Sequence, residues 1–383
     1  MSDVWKRQVR RNEEEPFVRG GRSWGGVLLA VAAVCVFAFF GLLTLLLIGG
    51  FNTGGRGLVF GMVLGTLPVP VYAALALWLD RYEKEPVWML AGAFFWGATV
   101  AVFLSFVLNS ISGAVVASVA GAAAGDFFMS VISAPVVEES SKGFALLVLF
   151  LWKRDEFDGV VDGVVYAAMV GLGFAMVENF SYYGAALVQG GIEGGVATFV
   201  VRGVLTPFNH PLFTAMFGIG LGLARVSGRR WVKVSAPVVG FFLAMLLHAL
   251  WNGLSYVTPG LLGLAVVILL LLFPAMAGVL LAVFLSLVRE GRVVREFLKP
   301  ELEAGEIPAS EYRTLGSIGG RLASTMRAFF SGPVRWRARR RFNQTASELA
   351  FHRDRVSRGL TSGGDRERDE GYRAELLRLG SRL

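Results

Sequence analysis

The sequence predicts an all-α, polytopic membrane helix bundle of about eight transmembrane helices with a polar, partly helical C-terminal tail. Three observations carry that reading. Apolar residues fall in runs of about twenty or more, long enough to cross roughly 30 Å of hydrocarbon. The 383-residue chain is 54% hydrophobic with a mean hydropathy of +0.58, values that few soluble domains reach. Lysine and arginine gather in alternate loops between the runs.

The first run, 25–49, has an apolar core too long for a cleavable leader, and no small-residue cleavage site follows it. It holds Cys35, the one cysteine, so an intrachain disulfide and a thiol–metal cluster are both excluded. Runs at 57–79, 88–109, 127–152 and 160–188 follow, then 196–224, 231–255 and 260–288. Pro207 and Pro211 interrupt 196–224, which predicts a span kinked or split around a cavity. No internal repeat is evident.

Charge sets the expected orientation. Lys6, Arg7, Arg10, Arg11, Arg19 and Arg22 precede the first run. Arg81 and Lys84, then Lys153 and Arg154, then Arg225, Arg229, Arg230 and Lys233 fill alternate loops, whereas the others hold only Arg56. By the positive-inside rule both termini are expected in the cytoplasm of a multi-pass cell-membrane protein. Residues 1–23 then form a basic N-terminal tail, 24–288 the membrane domain and 289–383 a basic C-terminal tail. The net charge of +8 and pI near 9.9 come from residues that flank apolar runs or fill that tail. Anionic lipid head groups, not nucleic acid, are therefore the expected partner. The tail reads as solvated and partly disordered, helical near 344–357 and 366–379, broken by Gly319-Gly320 and Gly363-Gly364, with His352 on its surface.

Polar groups inside the runs carry the chemistry. A charge at mid-bilayer costs about 2.5–3.5 kcal/mol on insertion scales, so several on neighbouring helices are expected to face one another. Glu138, Glu139 and Lys142 lie within one turn near the middle of 127–152. Two carboxyls beside one lysine can divide into an acid and a base. Glu178 and Asn179 sit in 160–188 beside the small residues Ala167, Ala168, Gly171, Gly173 and Ala175, which let another helix approach closely. Asp162 reads as a charge at the start of that helix. His210 precedes Pro211, with Thr214 one turn on to orient its ring. His248 and Asn252 lie one turn apart, so Asn252 can fix the imidazole tautomer or hold substrate backbone. Arg202 can take a carbonyl, a carboxylate or a lipid phosphate. Counted at about 1.5 Å per residue, these groups converge on the extracytoplasmic side of the bilayer centre.

Taken in order, these motifs resemble the PrsW family of bacterial intramembrane proteases, a relative of the CAAX-prenyl-endopeptidase and bacteriocin-processing superfamily. The resemblance rests on Glu138-Glu139-x-x-Lys142, Gly171-Leu172-Gly173-Phe174-Ala175-x-x-Glu178-Asn179, His210-x-x-x-Thr214 and His248-x-x-Trp251-Asn252. The acidic loop from Asp80 to Pro86 adds to it, and the whole covers about residues 60–255. It implies an intramembrane endopeptidase with Glu138, Glu139, Glu178, His210 and His248 as the catalytic set and Lys142, Asn179, Arg202 and Asn252 in support. It further implies a membrane-spanning protein substrate cut in or beside the outer half of its span, as in the anti-sigma factors that founding members cleave.

Two mechanisms fit this set. In one, His210, His248 and Glu178 hold zinc while Glu138 or Glu139 serves as base. In the other, Glu138 or Glu139 activates water without metal, and the histidines, with Asn252, stabilise the oxyanion. The competing class is a proton- or ion-coupled transporter that uses the buried carboxylates as a relay. The missing repeat and the ordered motifs stand against it. A non-catalytic scaffold would not require all of these residues.

Overall fold

A computed structural model describes residues 24–80, 82, 84–154, 156–258, 260–359 and 365–380. The basic cluster of residues 1–23, together with Arg81, Glu83 and Gly363-Gly364, lies outside the described residues. Among those described there is no strand. Five helical stretches are long and apolar enough to cross a membrane: Gly25–Leu79, Val87–Ala120, Val160–Val226, Arg230–Val257 and Gly260–Phe297. They contain seven of the eight expected runs. The remaining one, 127–152, lies in a continuous helical stretch set apart by its charges, Glu138, Glu139 and Lys142.

The chain begins with α1 (Trp24–Leu47), which passes through a π-helical turn into α2 (Gly54–Thr66) and α3 (Val69–Leu79). Next come α4 (Val87–Phe95), continuing through Trp96–Ala101 into α5 (Val102–Ala120), and then α6 (Ala122–Phe128), continuing through Met129–Ser133 into α7 (Ala134–Trp152). The central helix is α8 (Val160–Phe199). It breaks at Gly190 and Gly191, and Gly191 takes φ +63°, a value that favours glycine. At its start Asp162 Oδ2 accepts from the backbone N–H of Asp158 (2.9 Å) and Gly159 (2.6 Å), the helix-end role expected of it.

Glycine explains why α8 can be central. A Cβ on Gly173 would lie 2.0 Å from Phe94 O, one on Gly97 2.0 Å from Val170 O, and one on Gly61 2.2 Å from Phe180 O. Backbones thus touch α8 where side chains would hold them apart. Its most apolar window is 89% buried, against 11% for the first stretch, whose Leu28, Leu29, Val34 and Phe39 point outward.

The run 196–224 is split, as its prolines predicted. A π-helical turn at Val200–Leu205 ends at Thr206, and α9 restarts at Asn209–Val226. Pro211 falls in the first turn of α9, where its missing N–H costs no helical bond. The bundle closes with α10 (Arg230–Val257), α11 (Gly260–Val267) and α12 (Phe273–Phe297).

The C-terminal residues differ from expectation. They form α13 (Lys299–Glu303), α14 (Ala309–Leu315), α15 (Ile318–Phe330), α16 (Pro333–Ser357) and α17 (Asp365–Gly380). Leu315, Phe342, Ala346, Leu349, Phe351, Leu376 and Leu379 join the core that also holds Tyr82, Leu146 and Val165. Gly319-Gly320 sits inside α15 and breaks nothing. His352 is buried, with Nε2 2.9 Å from Asp365 O. The composition misleads because arginine dominates it while few apolar residues, correctly spaced, make the core.

Candidate functional site

Four helices position the acids and imidazoles. Glu138, Glu139 and Lys142 project from one turn of α7, Glu178 and Asn179 from α8, His210 from the first turn of α9 and His248 from α10. Lys142 is fully buried; its Nζ lies 2.6 Å from Glu139 Oε1 and 3.7 Å from Glu138 Oε2, over the face of Phe174. The same Nζ is 3.0 Å from His210 Nδ1. An amine cation only donates, so His210 Nδ1 accepts there. His210 Nε2 then donates to Glu178 Oε2 at 3.0 Å.

Glu139 is saturated. Its Oε1 takes the Lys142 amine and the N–H of His248 Nδ1 (3.0 Å), and its Oε2 takes the Thr214 hydroxyl (2.8 Å). This fixes the His248 tautomer and turns its Nε2 lone pair toward Glu138. Thr214 therefore serves Glu139, one helix away, and not the His210 ring as the spacing suggested. Asn252 also departs from expectation: its Nδ2 donates to Ser130 O (2.7 Å), so it ties α10 to the turn before α7. Arg202 is committed internally. Its guanidinium pairs with Glu178, donates from Nε to Asn179 Oδ1 (2.7 Å) and lies over the Tyr182 ring. It is held by its own chain at the positions expected to be open for a substrate group.

Sequence reasoning assigned no role to three contributors. Phe213 stacks on the His248 ring with centroids 5.1 Å apart, Phe174 carries Lys142, and Tyr182 carries Arg202. Phe213 and Tyr182 sit three and four residues from His210 and Glu178, a helical spacing that offered a signal.

The imidazoles stand nearly perpendicular, 5.4 Å apart. Between them lies Glu138 Oε2, 3.8 Å from His210 Nδ1 and 3.9 Å from His248 Nε2. That oxygen is buried and makes no hydrogen bond. Glu138, His210 and His248 offer one ligand atom each, all within 4.8 Å of one another. An orphaned carboxylate oxygen between two imidazole nitrogens fits a divalent metal such as zinc. Glu178, expected among the ligands, is instead drawn aside by Arg202. Glu138, Glu178, His210 and His248 line a cavity of about 1060 Å³, with Asn179, Arg202 and Asn252 on its wall.

Comparison with known proteins matches this stretch. Residues 85–290 fit the profile of the PrsW family intramembrane metalloprotease. Protease PrsW of Bacillus subtilis is 33% identical over 190 residues, covering 47% of this chain and 79% of that protein. The Geobacillus kaustophilus protein of the same name is 34% identical over 169 residues, 43% of this chain and 67% of its own. That of Oceanobacillus iheyensis is 29% identical over 194 residues, 50% and 82% respectively. No solved structure matches the chain at a significant level. With more than half its length inside the profile, and every candidate side chain from Glu138 to Asn252 within it, the chain belongs to the PrsW family of intramembrane metalloproteases.

Proposed function

We propose that the cavity is the hydrolytic chamber of this intramembrane endopeptidase, and that Glu138, His210 and His248 hold a zinc ion in it. The orphaned Glu138 oxygen between the two imidazoles carries the proposal. A bound divalent metal supplies Lewis-acid polarisation of a carbonyl and lowers the pKa of water. The chain's own residues do the rest. Glu139, held by Lys142, Thr214 and His248, keeps the His248 Nε2 lone pair turned inward. Glu178 engages His210 and Arg202 through Oε2 and faces the cavity, which suits it to take a proton from attacking water. Arg202 and Asn179 hold Glu178 against drift, and Asn252 fixes the wall.

One observation favours a second reading without metal. Lys142 Nζ sits on the His210 Nδ1 lone pair that a metal would use. In that reading Glu138 takes the proton from water, and His248 polarises the carbonyl once its Nε2 also carries a proton.

The substrate we infer is a membrane-spanning protein, a single-span anti-sigma factor being the class the resemblance suggests, cut in or beside the outer half of its span. We infer with it eight crossings with both termini in the cytoplasm, an orientation supported by Arg225, Arg229, Arg230 and Lys233, which then fall inside. Glu178 lies nearer the break at Gly190 than the start of α8, hence toward the outer side. The arginines of the C-terminal helices then face anionic head groups.

Metal analysis tests the ligand set. Purified protein should carry about one zinc per chain, lost in His210→Ala together with activity. Phenanthroline should abolish cleavage of a single-span reporter, and zinc should restore it. Full activity in a verified metal-free sample would move the assignment to the second reading.

A further inference from the structure

Helix α15 is inside out. Its buried face carries Arg321 and Ser324, while Leu322, Met326, Phe329 and Phe330 face outward. They recur at i, i+4, i+7 and i+8, so they form one stripe. Their exposures are 38%, 52%, 59% and 81%, and Val334 at 78% extends the stripe into α16. Phe329 packs edge-on against Phe330 and Trp336, which joins the three rings into one patch. Exposed arginines rim it: Arg327, Arg335, Arg337 and Arg340, the last over the Trp336 ring.

The start of α15 is tied to the ends of two apolar runs. Gly316, two residues before α15, accepts from Arg295 Nη1 (2.5 Å) on α12, just past the apolar run that ends at 288. Arg321, in its first turns, lies 4.3 Å from the Tyr82 ring, just past the end of α3 at Leu79. These contacts fall about three and seven residues past the ends of two apolar runs, roughly 5–10 Å at about 1.5 Å per residue, which brings the first turns of α15 close to the expected hydrocarbon edge.

We propose that α15 and the start of α16 form an interfacial membrane anchor, with the Leu322–Phe330 stripe seated at the acyl boundary and the arginine rim on anionic phospholipid head groups. The inference rests on the chain's membrane placement and is independent of its catalysis. It gives the C-terminal bundle a second hold on the bilayer besides α12. The buried face of the same helix carries Arg321 against Tyr82, so the anchor bears on the loop after α3.

The test uses full-length protein with Cys35→Ser, which removes the native thiol. Phe330→Cys, Met326→Cys and, as a control on exposed α17, Arg366→Cys are each labelled with a polarity-sensitive fluorophore. Each is placed in nanodiscs of phosphatidylcholine alone or with phosphatidylglycerol. Probes at 326 and 330 should emit to the blue of the probe at 366 and be quenched by acrylamide about threefold less. Phosphatidylglycerol should strengthen that shielding, and Arg335→Glu with Arg337→Glu should remove the gain. Equal acrylamide quenching at all three sites would overturn the proposal. So would shielding that follows protein concentration and ignores lipid, since that marks a second copy on the patch. Neither outcome touches the protease assignment, which no arm of the test reads.

Discussion

At the scale of single residues, the site depends on one buried cation being matched. Lys142 is fully enclosed and its closest carboxylate is Glu139 at 2.6 Å. Glu139→Ala leaves that cation only the more distant Glu138 Oε2 at 3.7 Å, which should destabilise the protein by about 3 kcal/mol. Thermal unfolding in detergent should show it, and Glu139→Leu with Lys142→Met should recover part of the loss. A second residue carries a pH signature outside the spans. Burial pushes the Asp80 carboxyl up to about 7, although Glu85 N donates to its Oδ2. A carboxyl protonated more readily when folded favours the fold in acid. Its contribution is full below about pH 4, shrinks as pH rises and is gone above about pH 7. Asp80→Asn keeps an acceptor for Glu85 N and should flatten that decline between pH 4 and 7 in unfolding scans. Contacts inside one turn, such as Glu139 with Lys142, were legible in the sequence because helix geometry fixes them. Thr214 on Glu139 and Arg202 on Glu178 were not, since they join helices whose rotation about their axes the sequence leaves open.

At the scale of elements, the site is held in register by α8. Glycines let three neighbours reach its backbone, so a methyl at a crossing has nowhere to go. Gly173→Ala would set a carbon 2.0 Å from Phe94 O and should cost about 1–3 kcal/mol or more, with activity falling as α8 shifts Glu178. Gly92→Ala, where nothing lies within 4 Å, should leave the melting temperature unchanged or slightly higher. Melting curves of the two variants side by side check both. The runs, the small-residue face of α8 and the split before α9 could all be read in advance, because lipid demands long apolar segments and proline interrupts them visibly. The run 127–152 was readable only by accepting that its charges are functional; those three charges leave it outside the five apolar stretches. Helices near 344–357 and 366–379 were legible in the C-terminal residues, but their packing into the core was not. The core spacing at Phe342, Ala346, Leu349 and Ala350 is helical, but the surrounding arginines present the composition of a solvated segment.

At the scale of the whole molecule, four helices deliver acids and imidazoles to one chamber within a bundle whose outer faces are apolar. The C-terminal helices close the other end through Arg321 on Tyr82 and Arg355 on Asp158 (3.5 Å). The chamber lies toward the Gly190 end of α8. Product mapping tests this most directly: a single-span reporter is incubated in nanodiscs with wild-type protein or Glu138→Gln, and the new termini are read by mass spectrometry. A cut in or beside the outer half of the reporter span is expected from the wild type, with a loss of at least about 10²-fold for Glu138→Gln at an unchanged melting temperature. Equal cleavage by Glu138→Gln, or product termini on the cytoplasmic side of the span, would contradict it.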